Sequence, residues 1–154
     1  DRIKAAVDGK TDPDFVIMAR CDAFANEGLE AMIERMIYYV DCGADMLFAE
    51  AMNDLTHYQT IKDATGVPLL ANITEFGKTD LYTTEDLKAH GVDMALYPLS
   101  AFRAQAKAAE TVLGAIRKEG SQASVLDMMQ TRSELYATID NAAYEEKLDK
   151  LFGK

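Results

Sequence analysis

The chain has 154 residues, 49% of them hydrophobic, enough for one ordinary domain with a sizeable core. With 16 Lys plus Arg against 26 Asp plus Glu, the formal net charge is -10, which argues against a nucleic-acid groove or an anionic membrane surface as partner. No run approaches the roughly 18 apolar residues of a membrane span, Asp1-Arg2-Ile3-Lys4 shows no signal-peptide core, and two cysteines without CxxC spacing fit a reducing compartment and no metal site, so the cytoplasm is the expected location.

Ile3, Ala6 and Val7 are spaced like the buried face of a helix that opens directly at Asp1, as if it were the tail of something earlier. The turn signal Thr11-Asp12-Pro13-Asp14 precedes a continuous apolar run, Phe15 to Ala19, which reads as a doubly covered strand ending at Arg20. From Leu29, the residues Met32, Ile33, Met36, Ile37 and Val40 recur at helical spacing, and Gly43 is placed to end that helix. A second strand runs from Met46 to Glu50. Asn53-Asp54 can cap a helix through Leu55, Tyr58 and Ile61 that ends near Gly66, and a third strand follows from Leu69 to Asn72. Thr83-Thr84 with Glu85-Asp86 opens a short helix ending at Gly91, ahead of a fourth strand from Met94 to Pro98. Phe102 through Ile116 makes an Ala-rich helix closed near Gly120. After Ser121-Gln-Ala-Ser124 the pattern is helix-rich, notably Glu134 to Ile139 and Tyr144 to Phe152.

An internal repeat supports this order. Cys42-Gly-Ala-Asp-Met-Leu-Phe48 and His90-Gly-Val-Asp-Met-Ala-Leu96 share the succession helix end, Gly, small apolar residue, Asp, Met, strand, and Thr65-Gly-Val-Pro-Leu-Leu-Ala71 is a looser third copy. Strand centres lie roughly 22 to 30 residues apart, a length that fits helical crossovers and a parallel sheet. The fold class expected is α/β, four βα units forming the second half of a (β/α)8 barrel over residues 1–120, with a helical appendage over 121–154. In such a fold the reacting groups sit where strands stop, so Arg20, Glu50, Asn72 with Thr74, and Arg103 would share one rim.

Each of these residues has a plain structural alternative. Arg20 can hold a carboxylate in bidentate fashion or simply pair with Asp22 or Glu50, and spacing makes the two readings even. Glu50 can act as a base, orient an arginine or support a metal shell, or be a plain solvated loop carboxylate, the reading its apolar neighbours favour less. Asn72-Ile-Thr-Glu-Phe-Gly77 offers an amide and a hydroxyl suited to carboxylate oxygens, or an Asx-type turn. Ser100-Ala-Phe-Arg103 at a helix start favours an anion, and Ser100 can serve as an N-cap as well. His57 and His90 have no partner at metal-ligand spacing, Cys21 reads as a packed thiol, and no G-x-G-x-x-G, P-loop or nucleophile elbow is present.

Five segments, taken together, resemble a known family: Phe15-Val-Ile-Met-Ala-Arg-Cys-Asp-Ala23, Gly43-Ala-Asp-Met-Leu-Phe-Ala-Glu-Ala51, Leu70-Ala-Asn-Ile-Thr-Glu-Phe-Gly77, Leu96-Tyr-Pro-Leu-Ser-Ala-Phe-Arg103 and Met129-Gln-Thr-Arg-Ser-Glu-Leu-Tyr136. They closely resemble the 2-methylisocitrate lyases of the isocitrate lyase and phosphoenolpyruvate mutase superfamily, from end to end of the chain. The resemblance implies Mg2+-dependent cleavage of 2-methylisocitrate to pyruvate and succinate, in the methylcitrate route of propionate breakdown. It implies substrate contacts at Arg20, Glu50, Asn72, Ile73, Thr74, Arg103 and Arg132. Arg20 would meet a carboxylate or hydroxyl near the metal and Glu50 would orient it, with Asn72, Thr74, Arg103 and Arg132 on the succinate-forming end. It also implies a small tricarboxylate as partner and a homotetramer that exchanges C-terminal helices.

The same resemblance places the Mg2+-binding aspartates, and a mobile loop with a Lys-x-Cys-Gly-His type motif whose Cys is the catalytic acid, upstream of the matched segment. Cys21 stands where relatives often carry Thr and does not replace that acid. The chain is therefore expected to be the C-terminal half of a longer enzyme, with no catalytic or metal residue of its own. Two other readings are another superfamily reaction (phosphonopyruvate hydrolysis, phosphoenolpyruvate mutation or oxaloacetate decarboxylation) and a self-associating half-barrel that binds anions without turnover. We expect the purified 154-residue chain with Mg2+ to show no lyase activity, and the denatured native subunit to weigh about twice the 17.0 kDa of this chain. Turnover by the chain alone would overturn the first expectation, and a native mass of 17.0 kDa the second.

Overall fold

A computed structural model describes residues 1–153. The chain forms two compact units, Asp1–Ala101 and the residues from Phe102 onward. In the first unit the order is α1 (Arg2–Asp8), β1 (Met18–Cys21), α2 (Phe24–Asp41), β2 (Met46–Ala49), α3 (Leu55–Thr65), β3 (Leu69–Asn72), α4 (Thr84–Ala89) and β4 (Met94–Leu96). The second unit holds α5 (Ser100–Glu119, whose first two residues belong to the first unit), a 3-10 turn (Ala123–Met128), α6 (Arg132–Thr138) and α7 (Asn141–Phe152).

The four strands form one parallel sheet in the order β1-β2-β3-β4. Side chains alternate across it. Ala19, Cys21, Leu47, Ala49, Leu69, Ala71 and Ile73 enter the core together with Met32 and Met36 of α2, Tyr58 and Ile61 of α3, and Leu87 of α4. Met18, Arg20, Met46, Phe48, Leu70 and Asn72, one residue out of phase, belong to the opposite face and are less buried. The helices thus cover one face of the sheet, as expected for part of a β/α barrel.

The repeat seen in the sequence has a physical meaning. The main-chain N–H of Asp45 donates to the carbonyl of Ile17 (2.9 Å), and Asp45 Oδ2 accepts the N–H of Ile17 (2.8 Å). Asp93 does the same with Leu69, at 2.9 and 2.8 Å, and its Oδ2 also takes Lys62 Nζ at 2.8 Å. Each Asp therefore ties the start of its own strand to the start of the preceding one. The glycines before them turn the chain through φ 98° at Gly43 and 77° at Gly91. A Cβ at Gly91 would lie 2.8 Å from Lys62 Cγ, so a side chain there meets both the left-handed backbone and the lysine that serves Asp93. The third copy has Pro68 where the others have Asp. Its carbonyl accepts the N–H of Leu47 at 3.0 Å, so it contributes through main chain alone.

The helix starts follow their caps. Asp54 accepts the N–H of Thr56, and Thr83 with Asp86 makes a reciprocal capping box. Three expectations need correction. The first strand begins at Met18, opposite Met46; Ile17 before it is held by Asp45, and Phe15 and Val16 are exposed. The fourth ends at Leu96, two residues short of Pro98. No residue of α1 is buried: Ile3 is half-buried and Ala6 and Val7 are exposed, although their spacing is helical.

Lys62 and Leu69 hold the Asp93 carboxyl below the usual carboxylate range, the lysine hydrogen bond being the largest cause. Asp93→Ala is expected to lower unfolding free energy by about 1–2 kcal/mol, a charged hydrogen-bond value discounted for partial exposure. Because the folded pKa is depressed, this contribution is complete above the unfolded carboxylate pKa and is lost as pH falls through the folded value. Denaturant unfolding of both proteins as a function of pH checks it: the difference should shrink in acid, and an unchanged difference would remove Asp93 from this role.

Candidate functional site

Three adjacent strands end in groups that touch. Arg20, on β1, donates from Nε to Asp22 Oδ2 at 3.0 Å and from Nη2 to Asp22 Oδ1 at 2.7 Å, and its Nη1 lies 3.2 Å from Glu50 Oε2. Glu50, just after β2, also accepts Asn72 Nδ2 at 3.4 Å, because the register Ala49 to Ala71 sets their successors side by side. The Arg20 guanidinium carbon lies 4.9 Å from the centre of the Phe48 ring, its partner in the β1–β2 register. A continuous chain of contacts results, Asp22 to Arg20 to Glu50 to Asn72.

Electrostatics keeps the Asp22–Arg20 pair charged. The hydrogen bond from Arg20 holds the Asp22 carboxyl below its ordinary range, and Asp22 first, then Glu50, stabilises the arginine charge. The Arg20 side chain is 47% exposed, so it remains accessible to a ligand. Asn72 Oδ1 and Thr74 Oγ1 are buried with no hydrogen-bond partner among the described residues. A buried polar atom without a partner is costly, by about 1–3 kcal/mol, and a ligand that satisfied both would recover that. Beneath them, burial pushes the Tyr58 hydroxyl far above its ordinary pKa, with Tyr82 and Glu50 adding to the effect, so it stays neutral.

The loops that leave the rim are strained. Ala51, directly after Glu50, has φ 59°, and Phe76, directly after Glu75, has φ 62°. Side chains other than Gly, Asn or Asp rarely adopt that region, and such strain persists where the surroundings impose it. Ser100 Oγ donates to Glu75, joining the β3–α4 loop to the residue that opens α5.

Of the residues expected at the site, Arg20 touches Glu50 and Glu50 touches Asn72, and Thr74 follows two residues after Asn72. Ile73 is 3% exposed with its side chain in the core, and its N–H donates to the Leu96 carbonyl at 2.8 Å. Arg103 and Arg132 belong to the second unit. Arg103 is half-buried in the first turn of α5. Arg132 opens α6, behind the Thr131–Glu134 capping box, with its guanidinium carbon 5.4 Å from the Tyr136 ring centre. The two readings of Arg20 as a ligand group or a structural pair are not exclusive, since it pairs with both carboxylates and stays exposed. Phe48 was not singled out in the sequence, although its place two residues before Glu50 sets it on the same face of the strand.

Other candidates take structural places. His90 Nδ1 lies 2.8 Å from the Asp86 carbonyl, and His57 stacks edge-on against Phe24. Cys21 is buried, and both cysteines are unpaired thiols. No three His, Cys, Asp or Glu side chains among the described residues are grouped to hold a metal ion. At the rim, Asp22 and Glu50 are both engaged by Arg20. The residues present do not by themselves fit a Mg2+ site.

A family model described as phosphoenolpyruvate phosphomutase matches residues 1–117. The 2-methylisocitrate lyase of Escherichia coli (strain K12) is 62% identical over all 154 residues, which make up 52% of that protein. The 2-methylisocitrate lyase of Bacillus subtilis (strain 168) is 44% identical over 92% of this chain and 47% of its own. Among solved structures, oxaloacetate acetylhydrolase in complex with the product oxalate superposes with a TM-score of 0.82 at 28% identity, over 99% of this chain and 53% of that one. A 2,3-dimethylmalate lyase of the PEP mutase/isocitrate lyase superfamily gives 0.81 at 26% identity, over 99% and 50%. The chain spans about half the length of the relatives it matches. With its parallel βα units, its polar strand ends and a family match over its first 117 residues, the chain belongs to the phosphoenolpyruvate phosphomutase family.

Proposed function

We propose that the chain supplies the substrate-binding rim of a carbon–carbon lyase that cleaves 2-methylisocitrate into pyruvate and succinate. The observation that carries this reading is the contact chain Arg20–Glu50–Asn72 across three neighbouring strand ends, in a sequence 62% identical along its whole length to a 2-methylisocitrate lyase. A tricarboxylate needs fixed cationic and hydrogen-bonding partners, and holding it in one orientation is the larger part of what such a rim contributes.

The roles follow from donor and acceptor inventory. Arg20, always protonated, binds a substrate carboxylate or hydroxyl. Glu50 pairs with the Arg20 charge, accepts from Asn72 and fixes their orientation. The Asn72 amide presents its NH2 to Glu50, which leaves Oδ1 to receive a hydroxyl of the substrate. The Thr74 hydroxyl donates to a carboxylate oxygen, with Ile73 anchoring both neighbours from the core. Arg103 and Arg132 neutralise the succinate-forming end, and Phe48 keeps the Arg20 plane in place. The metal and the proton donor of the reaction lie outside these residues. The methylcitrate route, a homotetramer and a cytoplasmic location belong to the same reading. No helix among the described residues is long and apolar enough to cross a membrane.

Two experiments test it. Co-expression of this chain with the part of the E. coli lyase that it does not match should yield an assembly that converts 2-methylisocitrate to pyruvate and succinate. Oxaloacetate and 2,3-dimethylmalate should react at least about 100-fold more slowly; a reversed preference would assign the chain to another reaction of the family. In the same assembly Arg20→Gln should lower kcat/KM by about 100- to 1,000-fold, the loss of a charge-assisted contact of roughly 3–4 kcal/mol. An effect below about threefold would remove Arg20 from the substrate.

A further inference from the structure

Asp22 grips Arg20, yet both side chains are substantially exposed, at 61% and 47%. An exposed ion pair contributes little by itself, so the placement of Asp22 depends also on the segment that follows it, whose own Glu27–Arg35 pair is similarly exposed, at 45% and 44%, and acts together with an aromatic contact.

The helix α2 is not continuous. Gly28 has φ 84° and ψ 177°, so Phe24–Glu27 form a single turn set off from the long helix Leu29–Asp41. That backbone region is open to glycine and to almost no other residue. Asn26 and Glu27 both donate their N–H to the Ala23 carbonyl, at 3.1 and 2.8 Å, so the turn and the adjoining Asp22 form one piece. The piece is tied down at two points. Phe24 stacks edge-on against His57 of α3 with ring centres 5.3 Å apart, and Glu27 Oε2 accepts Arg35 Nη2 at 2.5 Å, a bond that reaches across the kink to the long helix. Arg20, Asp22, Asn26, Glu27, Arg35 and Tyr39 line one cleft, so the second ion pair stands beside the first.

We propose that the Glu27–Arg35 pair is a latch across the Gly28 kink that holds the Asp22 carboxylate against Arg20, which makes Glu27 and Arg35 positioning residues for the rim. Gly28 breaks the helical hydrogen bonds that would otherwise fix the turn, and the salt bridge replaces them with one side-chain contact. When the latch is broken, Asp22 leaves Arg20, and the long arginine side chain regains rotamers that a bound substrate must freeze again. The effect therefore falls on KM and leaves kcat nearly alone. Its kinetic expression rests on the lyase reading; its structural expression does not.

The test uses the co-expressed assembly and three variants. Glu27→Gln should raise KM about three- to tenfold with kcat within about twofold of the parent, and Arg35→Lys, which keeps the charge but not the fork, should give an intermediate KM. The exchange Glu27→Arg with Arg35→Glu should restore KM, which a merely structural defect would not allow. Crystal structures of the parent and of the Glu27→Gln assembly should show the Arg20–Asp22 contact made in the first and lost in the second. A contact unchanged in Glu27→Gln, or a lost contact with unaltered KM, overturns the latch. If the parent turns over no 2-methylisocitrate while the contact is still lost in Glu27→Gln, the latch stands and the lyase reading falls.

Discussion

The register of four short parallel strands is the constraint on which the rim depends. A slip of one residue would turn every side chain to the other face, sending Arg20 into the core and Cys21 to the rim. Strands of three or four residues carry few ladder hydrogen bonds with which to resist this. The reciprocal contacts of Asp45 with Ile17 and of Asp93 with Leu69 add one side-chain bond at the base of the β1–β2 and β3–β4 pairs, at the end away from the rim. Function and register are thus separated along the strand. Carboxylates at the N-terminal ends set the pairing, and the C-terminal ends are left for groups chosen for chemistry.

The charge balance becomes intelligible in the same terms. The net charge of -10 would repel an anionic ligand, so the affinity has to be local. Arg20 offers five N–H donors. Asp22 takes one edge of the guanidinium, and Glu50 lies against the far nitrogen. Two carboxylates beside one arginine would be a poor arrangement if neutralisation were their purpose. They make sense as a frame, because Asp22 fixes the plane, Phe48 supports its face, and donors outside the Asp22 contact stay available to a third carboxylate.

Much of this was legible in the sequence because it rests on local patterns. Continuous apolar runs ending in Arg20, Glu50 and Asn72 mark strand ends, and the Gly-x-Asp repeat marks the return of the chain under the sheet. Caps at Asp54 and Thr83 set helix starts in a few residues. What could not be read depends on partners. The spacing of Ile3, Ala6 and Val7 gives a helix but not its burial, since burial needs a neighbour to pack against. Phe15 and Val16 have strand character but no facing strand. The direction of the Ile73 side chain follows from the phase of β3, which only the register fixes. For Arg20, a structural pair or a ligand group could not be separated by spacing, because the same geometry serves both.

The kink in α2 illustrates a more general point about such rims. The helical periodicity in the sequence begins at Leu29, directly after Gly28, and the four residues before it carry no apolar face long enough to hold themselves on the sheet. A continuous helix from Phe24 would have extended its main-chain hydrogen bonds through Gly28 and locked the Asp22 segment to α2 rigidly. The glycine gives that up. In exchange, the position of Asp22 is governed by two side-chain contacts, Phe24 on His57 and Glu27 on Arg35, that can be individually made or lost. A substrate carboxylate arriving at Arg20 meets a guanidinium whose plane Asp22 has already set and uses the donors outside that contact. The kink beside the arginine therefore leaves the order of the guanidinium, and with it the cost of binding, to two side-chain contacts instead of a continuous helix.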